Sequence, residues 1–302
     1  MARKRTNASV RLLYNKAALT RLLFSIPPEL MRLTPAGQRF YQEVQKADGR
    51  INLAAAALYI AQEEYWDMDP SRYLEALDDM AAAVRSRLPP RRYPLKVIQA
   101  INDYLFDDLQ FTGNTRDYYN PDNSYLNCVI DRRIGIPISL SLVYLEIAHR
   151  LRFPMVGVGM PGHFLIRPVI EEMEVFVDPF HQGEVLFLED CKEQFHQLFP
   201  QAQWKPEFLS GVMPKPFLAR MLMNLKTIYI QQEADEEALN VLDKLLILMP
   251  EAAEQMRDRG LLHHRMKNYE LARHDLKRYL RSHPSPPDGA HIQKILESIP
   301  QT

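Results

Sequence analysis

Glycine is scarce in this chain, 11 among 302 residues, and cysteine scarcer, at two. So little glycine argues against a glycine-rich loop of the kind that cradles phosphates. Cys128 and Cys191 lie far apart with no Cys-x-x-Cys. That excludes a disulfide framework and a thiolate zinc cage, and it fits a reducing, cytoplasmic setting. Net charge is missing too: 37 Lys and Arg against 38 Asp and Glu leave −1. No global field holds a polyanion, so nucleic acid is not an expected partner. No apolar run approaches the ~18 residues needed to cross a bilayer, so no membrane span is expected. What the chain does have is 46% hydrophobic residues, enough for a real core, and 22 prolines to punctuate it. At about 150 residues per domain, two domains are expected.

The first 28 residues carry Arg3, Lys4, Arg5, Arg11, Lys16 and Arg21 and no acid. This reads as a basic tail over residues 1–33, with the composition of an acid-poor address as the other reading. It has no apolar stretch ending in a small-residue cleavage site, so secretion is not expected. From Thr34 the pattern is helical. Leu53, Ala56, Ala57, Ile60 and Ala61 form one stripe, Leu74, Leu77, Ala81 and Val84 a second, and Val97, Ile98, Ile101, Leu105 and Leu109 a third. Asp69-Pro70 is a helix start and Pro89-Pro90 a stop.

Residues 111–137 are turn chemistry, with Gly113-Asn114, Asn120-Pro121 and Asp122-Asn123-Ser124. A short helix over Tyr125–Arg133 and a long one after Pro137 follow. The β-like runs come next: Val156 and Val158, Phe164–Ile166, Val175–Val177 and Val185–Phe187. A small antiparallel sheet after a buried helix makes the class α+β. Beyond residue 213 the chain is helical and repeats. A shift of 34 places Ala238 on Ala272, Leu242 on Leu276, Leu246 on Leu280 and Pro250 on Pro284. That period, with small Ala in the second helix and Pro after it, is the signature of tetratricopeptide repeats. Two such units are too few to stand alone and must lean on the preceding domain.

Chemistry concentrates in Pro161–Arg167 and Glu174–Pro179. A hairpin with Pro168 opposite Met173 sets His163 opposite Asp178 on one face. A carboxylate beside an imidazole fixes its tautomer, as the base of a nucleophilic triad requires. The nucleophile is the open position. The long helix begins with Ser139 rather than a thiol, and a serine needs an explicit base. Ser139 also reads as an ordinary helix cap. Cys128 sits on the preceding short helix, a small buried hydrophobe by default, and Cys191 opens a polar segment with no evident base. His263-His264 reads as helix surface, Arg85–Arg92 as a solvated face, and no metal or other cofactor is expected. The Tyr118-Tyr119 loop reads as a lining of the His163 pocket, or as structure alone.

These residues as a set resemble a known group. A helix after Arg133-Ile-Gly-Ile-Pro-Ile-Ser-Leu140, a strand with Gly157-Val-Gly-Met-Pro-Gly-His-Phe164 and one ending Phe176-Val-Asp-Pro-Phe180 are similar to the transglutaminase-like superfamily. With Asn123-Ser-Tyr-Leu-Asn127 they resemble its bacterial SirB-type branch, which joins that domain to tetratricopeptide repeats. The resemblance implies a papain-like core over 34–212 and repeats over 213–302. It implies the triad's His and Asp at His163 and Asp178, and its nucleophile near Ser139, where this chain has no cysteine. The expectation is a degenerate domain in a non-catalytic, regulatory or protein-interaction protein, its repeats facing a protein or peptide partner. The alternative is a hydrolase or acyl transferase using Ser139 or Cys128 with His163 and Asp178.

Overall fold

A computed structural model describes residues 33–170 and 173–300. The basic segment and its alternative reading as an address lie outside the described residues, apart from Leu33. The described residues open with four α-helices, α1 (Pro35–Val44), α2 (Leu53–Ala61), α3 (Pro70–Arg87) and α4 (Pro94–Asn102). Local chemistry sets their starts. Asn52 accepts from the Ala55 N–H, and Asp69 accepts from Ser71 ahead of Pro70 at the first helical position. Helix α2, Leu-Ala-Ala-Ala-Ala-Leu-Tyr-Ile-Ala, is buried around most of its circumference, as an all-apolar helix must be. The third stripe is one helix in part only: α4 ends at Asn102 and a π-helical turn carries Asp103–Asp108.

Thr112–Gly113 (β1) pairs in parallel with Ile134–Gly135 (β2), framing the turn-rich stretch. Between them lies α5 (Leu126–Arg132), stopped by Arg133 in the left-handed conformation at φ 58°. The helix with the most buried residues is α6 (Pro137–Arg150), packed against α3, α5 and the sheet. Arg85 and Arg92 donate to the carbonyls of Arg150 and Leu151 at 2.6 and 3.1 Å. The Arg85–Arg92 cluster is therefore more than a solvated face: two of its guanidiniums satisfy carbonyls left over at the C-terminal end of α6.

The sheet has five antiparallel strands, β3 (Met155–Val158), β4 (Leu165–Pro168), β5 (Phe176–Asp178), β6 (Glu184–Leu186) and β7 (Gly211–Val212), in the order β6-β5-β4-β3-β7. Four of them fall on the β-like runs. β7 is too short to give a periodic signal. Ile166 and Val177 face the main core, while Val158, Leu165, Phe176 and Leu186 face a second cluster closed by α7 (Leu188–Leu198) through Cys191 and Phe195. The fold class is α+β, as the sequence implies.

Five helices follow: α8 (Pro214–Gln231), α9 (Asp235–Leu248), α10 (Ala253–Arg265), α11 (Tyr269–Ser282) and α12 (Gly289–Ser298). Ala238 and Ala272 each lie three residues into their helix, and both are fully buried. Pro250 and Pro284 each follow two residues after the helix ends. Gly260 on α10 lies so close to α11 that a Cβ there meets Leu276 at 2.8 Å. His263 is buried rather than on the helix surface. The repeats do lean on the preceding domain: Leu225, Leu242 and Leu245 belong to the same core as α2 and α6.

Candidate functional site

Asp178 ends β5, and its side chain turns back on the chain. Oδ1 accepts from the backbone N–H of Phe180 at 3.0 Å and of His181 at 3.3 Å, capping the short 3-10 turn Pro179–His181. That leaves Oδ2 for the imidazoles. His163 Nε2 lies 2.7 Å from it, and His181 Nδ1 also lies 2.7 Å from it. Asp178 is fully buried. Burial opposes its ionisation, but hydrogen bonds and charge from His163 and His181 outweigh burial and hold the carboxyl below its ordinary range.

His163 reaches this carboxylate from a turn rather than from a strand. Gly162 has φ +77°, and the His163 N–H bonds the carbonyl of Met160 at 3.1 Å. The register differs from the expected hairpin by two residues. Ile166 pairs with Val177, where a Pro168–Met173 pairing requires Val175. A slip of two preserves the face of every side chain, whereas a slip of one reverses it. The pair therefore forms although the register differs. The cause is that the loop consumes more residues on the Phe176 side than a four-residue connection allows.

Two residues of the site carry no early signal. His181 is the partner that Asp-Pro-Phe-His spacing conceals. An Asp cap with Pro at the next position makes a tight turn, and a tight turn returns the third residue to the cap. Arg220 comes from α8, where its Nη2 donates to the carbonyls of His163 at 2.6 Å and Met160 at 3.0 Å. Its guanidinium also lies over the Phe164 ring. Helix α8 thus fixes the loop that carries His163. The Tyr118 ring meets Phe180, which in turn meets His163, with centroids 6.3 and 6.2 Å apart. The Tyr118 loop lines the site at one remove.

Ser139 is the third residue of α6, not its cap, and it is fully buried. Its Oγ lies 2.5 Å from the Asn123 carbonyl and 3.1 Å from that of Ile136, and it accepts from the Ile136 N–H at 3.0 Å. The hydroxyl is occupied on all sides by backbone. Gly135 lies against Ser139 Oγ, its strand partner Gly113 lies against the Phe180 ring, and that ring meets His163. Cys128 opens instead onto a cleft of about 550 Å³ lined by Tyr65, Tyr73, Asn127, Asp131 and Arg132. Burial raises its thiol pKa. Cys191 lies on the buried face of the otherwise polar α7, where burial, with the Asp190 and Asp178 carboxylates, pushes its thiol up to about 12. Among the described residues, His163, Asp178 and His181 are the side chains whose donor atoms converge as metal ligands would, all within 4.8 Å.

A buried helix packed on an antiparallel sheet whose strand ends bring together a histidine and an aspartate, with helical repeats docked on the same core, defines a class: a transglutaminase-like α+β domain joined to a repeat module. The comparisons with known proteins agree. The chain belongs to the transglutaminase-like superfamily, which residues 71–223 match, and residues 225–297 match the tetratricopeptide repeat. A UPF0162 protein of Xylella fastidiosa is 36% identical over 243 residues, covering 79% of this chain and 86% of the relative. A UPF0162 protein of Pseudomonas aeruginosa is 28% identical over 252 residues, 83% of this chain and 92% of the relative. F-box only protein 21 of Mus musculus is 35% identical over 159 residues, 50% of this chain and 24% of that protein. No solved structure matches. No helix among the described residues is long and apolar enough to cross a membrane.

Proposed function

We propose that this chain is a non-catalytic regulatory or protein-interaction protein of the SirB-type branch. In this reading it acts in the cytoplasm, with a degenerate transglutaminase-like domain over 34–212 and repeats over 213–302 that engage a protein or peptide partner. One observation carries the reading. The hydroxyl of Ser139, at the triad's nucleophile position by resemblance, is bonded to the Asn123 carbonyl at 2.5 Å, and no hydrogen bond joins it to His163. Neither thiol supplies the missing group, since one faces a different cleft and the other lies in a second core. Repeats of this kind generally mediate protein contacts, and here they share a core with the domain they would report on. The His163–Asp178 bond then ties the turn before β4 to the end of β5.

The intact imidazole–carboxylate pair is also what favours the competing reading, a hydrolase or acyl transferase using Ser139 or Cys128 with His163 and Asp178. Labelling separates the two. The wild type and His163→Ala are treated with a fluorophosphonate and with iodoacetamide, and the modified residues are mapped by mass spectrometry. The interaction reading expects no labelling of Ser139 or Cys128 that depends on His163. Labelling of either residue that His163→Ala abolishes overturns it.

A further inference from the structure

We propose that His163, Asp178 and His181 form a binding site for one divalent transition-metal ion of the zinc class. The inference goes beyond the interaction reading and does not rest on it. Three features of the cluster carry it. Both histidines aim a ring nitrogen at one carboxylate oxygen, His163 through Nε2 and His181 through Nδ1, each at 2.7 Å. The other oxygen of Asp178 is already held by two backbone N–H groups, so the carboxylate is oriented and only Oδ2 is offered. Outer hydrogen bonds of that sort are what orient a metal's ligands. The cluster also has a way in. Asp178 is buried and the His163 side chain is only 12% exposed, but that of His181 is 55% exposed.

Two imidazoles and a carboxylate suit zinc or cobalt rather than magnesium or calcium, which demand oxygen ligands. Three protein ligands leave a fourth tetrahedral position to water, the pattern of an open zinc site. The fit requires a small adjustment. Bonds of about 2.0–2.1 Å at tetrahedral angles separate ligand atoms by about 3.4 Å. Each nitrogen must therefore withdraw from Oδ2 by about 0.7 Å. His181 stands on a one-turn 3-10 helix at the surface and can move; Arg220 holds the backbone of His163 at its carbonyl while leaving the ring to rotate.

A metal ion takes the place of the proton on each ring nitrogen that faces Oδ2, and that proton passes to the far ring nitrogen or to solvent.

The full chain, stripped of metal, is titrated with Co²⁺ and followed by visible absorption, then competed with Zn²⁺. The expected result is saturable one-to-one binding at micromolar Co²⁺ with a four- or five-coordinate spectrum, displaced by Zn²⁺ and not by Mg²⁺ or Ca²⁺. His181→Ala, at an exposed position and checked for folding by circular dichroism, is expected to weaken binding at least tenfold. Asp178→Asn is expected to abolish it, with circular dichroism checking that this variant is folded. Absence of saturable binding below 100 µM overturns the proposal. So does binding that survives His181→Ala unchanged, which assigns the ion to other histidines on the surface. The labelling described above uses neither metal nor spectrum, so either reading can fail alone.

Discussion

The hydroxyls of Tyr125 and Tyr229 meet at 2.6 Å in the protein interior, across 104 residues of chain. Tyr125 stands just before α5 in the domain and Tyr229 on the first repeat helix. A second buried tie, Lys244 to Glu63 at 2.8 Å, joins α9 to the end of α2. Removing one hydroxyl leaves the other buried without its partner, which costs about 1–3 kcal/mol, whereas removing both costs less. Tyr229→Phe is therefore expected to destabilise the whole chain in urea by about 1–2 kcal/mol. The double change Tyr125→Phe with Tyr229→Phe is expected to recover part of that. A double variant as unstable as the sum of the singles refutes the coupling.

Gly260 permits the close approach of α10 and α11, as the small position of the second repeat. A Cβ there falls 2.8 Å from Cγ and Cδ2 of the buried Leu276 and 3.2 Å from Cβ of Asp275. Alanine gains helix propensity worth about 0.8–1 kcal/mol in an open helix. Overpacking at a buried contact costs about 1–3 kcal/mol. The second exceeds the first because Leu276 is enclosed and cannot swing away. Gly260→Ala is expected to lower stability by about 1 kcal/mol and to speed hydrogen exchange in α10 and α11 before the sheet. A stabilised variant contradicts this.

How much of this was legible depended on where each signal resides. The 34-residue period survives in Ala238, Ala272, Pro250 and Pro284 because each position has one steric job that few residues can do. The helices before residue 110 were legible from their stripes and prolines. The α3 stripe nonetheless buries Tyr73 more fully than Leu74, since a Tyr can bury its ring while its hydroxyl reaches Asp131 at 2.6 Å. His163 and Asp178 were legible as a pair. His181 was not, because its role depends on a turn that only the Asp178 cap creates. Arg220 was hidden by distance, 57 residues from the carbonyl it bonds. The two-residue strand β7 has no pattern to read, because pairing with β3 makes it a strand.

Ser139 offers a direct test of what its hydroxyl does. It satisfies the Ile136 N–H and the Asn123 carbonyl, both inside the protein. Ser139→Ala leaves two buried backbone groups unsatisfied, at about 1–3 kcal/mol for such a loss. The expected outcome is a variant at least 2 kcal/mol less stable in chemical denaturation. A nucleophile predicts the reverse, a variant of unchanged stability that has lost labelling by a fluorophosphonate. Unchanged stability therefore counts against the backbone role assigned here.

Thiol chemistry supplies the last test. Only the thiolate attacks an electrophile, and Cys191 has its pKa pushed up to about 12 by burial and by the carboxylates of Asp190 and Asp178. At pH 8 roughly one Cys191 in ten thousand is ionised, against about a quarter for an exposed thiol near 8.5. The sign is fixed: raising the pH raises the thiolate fraction tenfold per unit until about 12, so native reactivity climbs steadily through pH 10 without a plateau. Cys128, raised by burial but bordering a cleft, is expected to react first. With iodoacetamide at pH 8, the native protein is expected to modify slowly at Cys128, and Cys191 only once urea unfolds the chain. Rapid labelling of Cys191 in the native state, or a rate that levels off below pH 9, contradicts both its burial on α7 and the charge assigned around it.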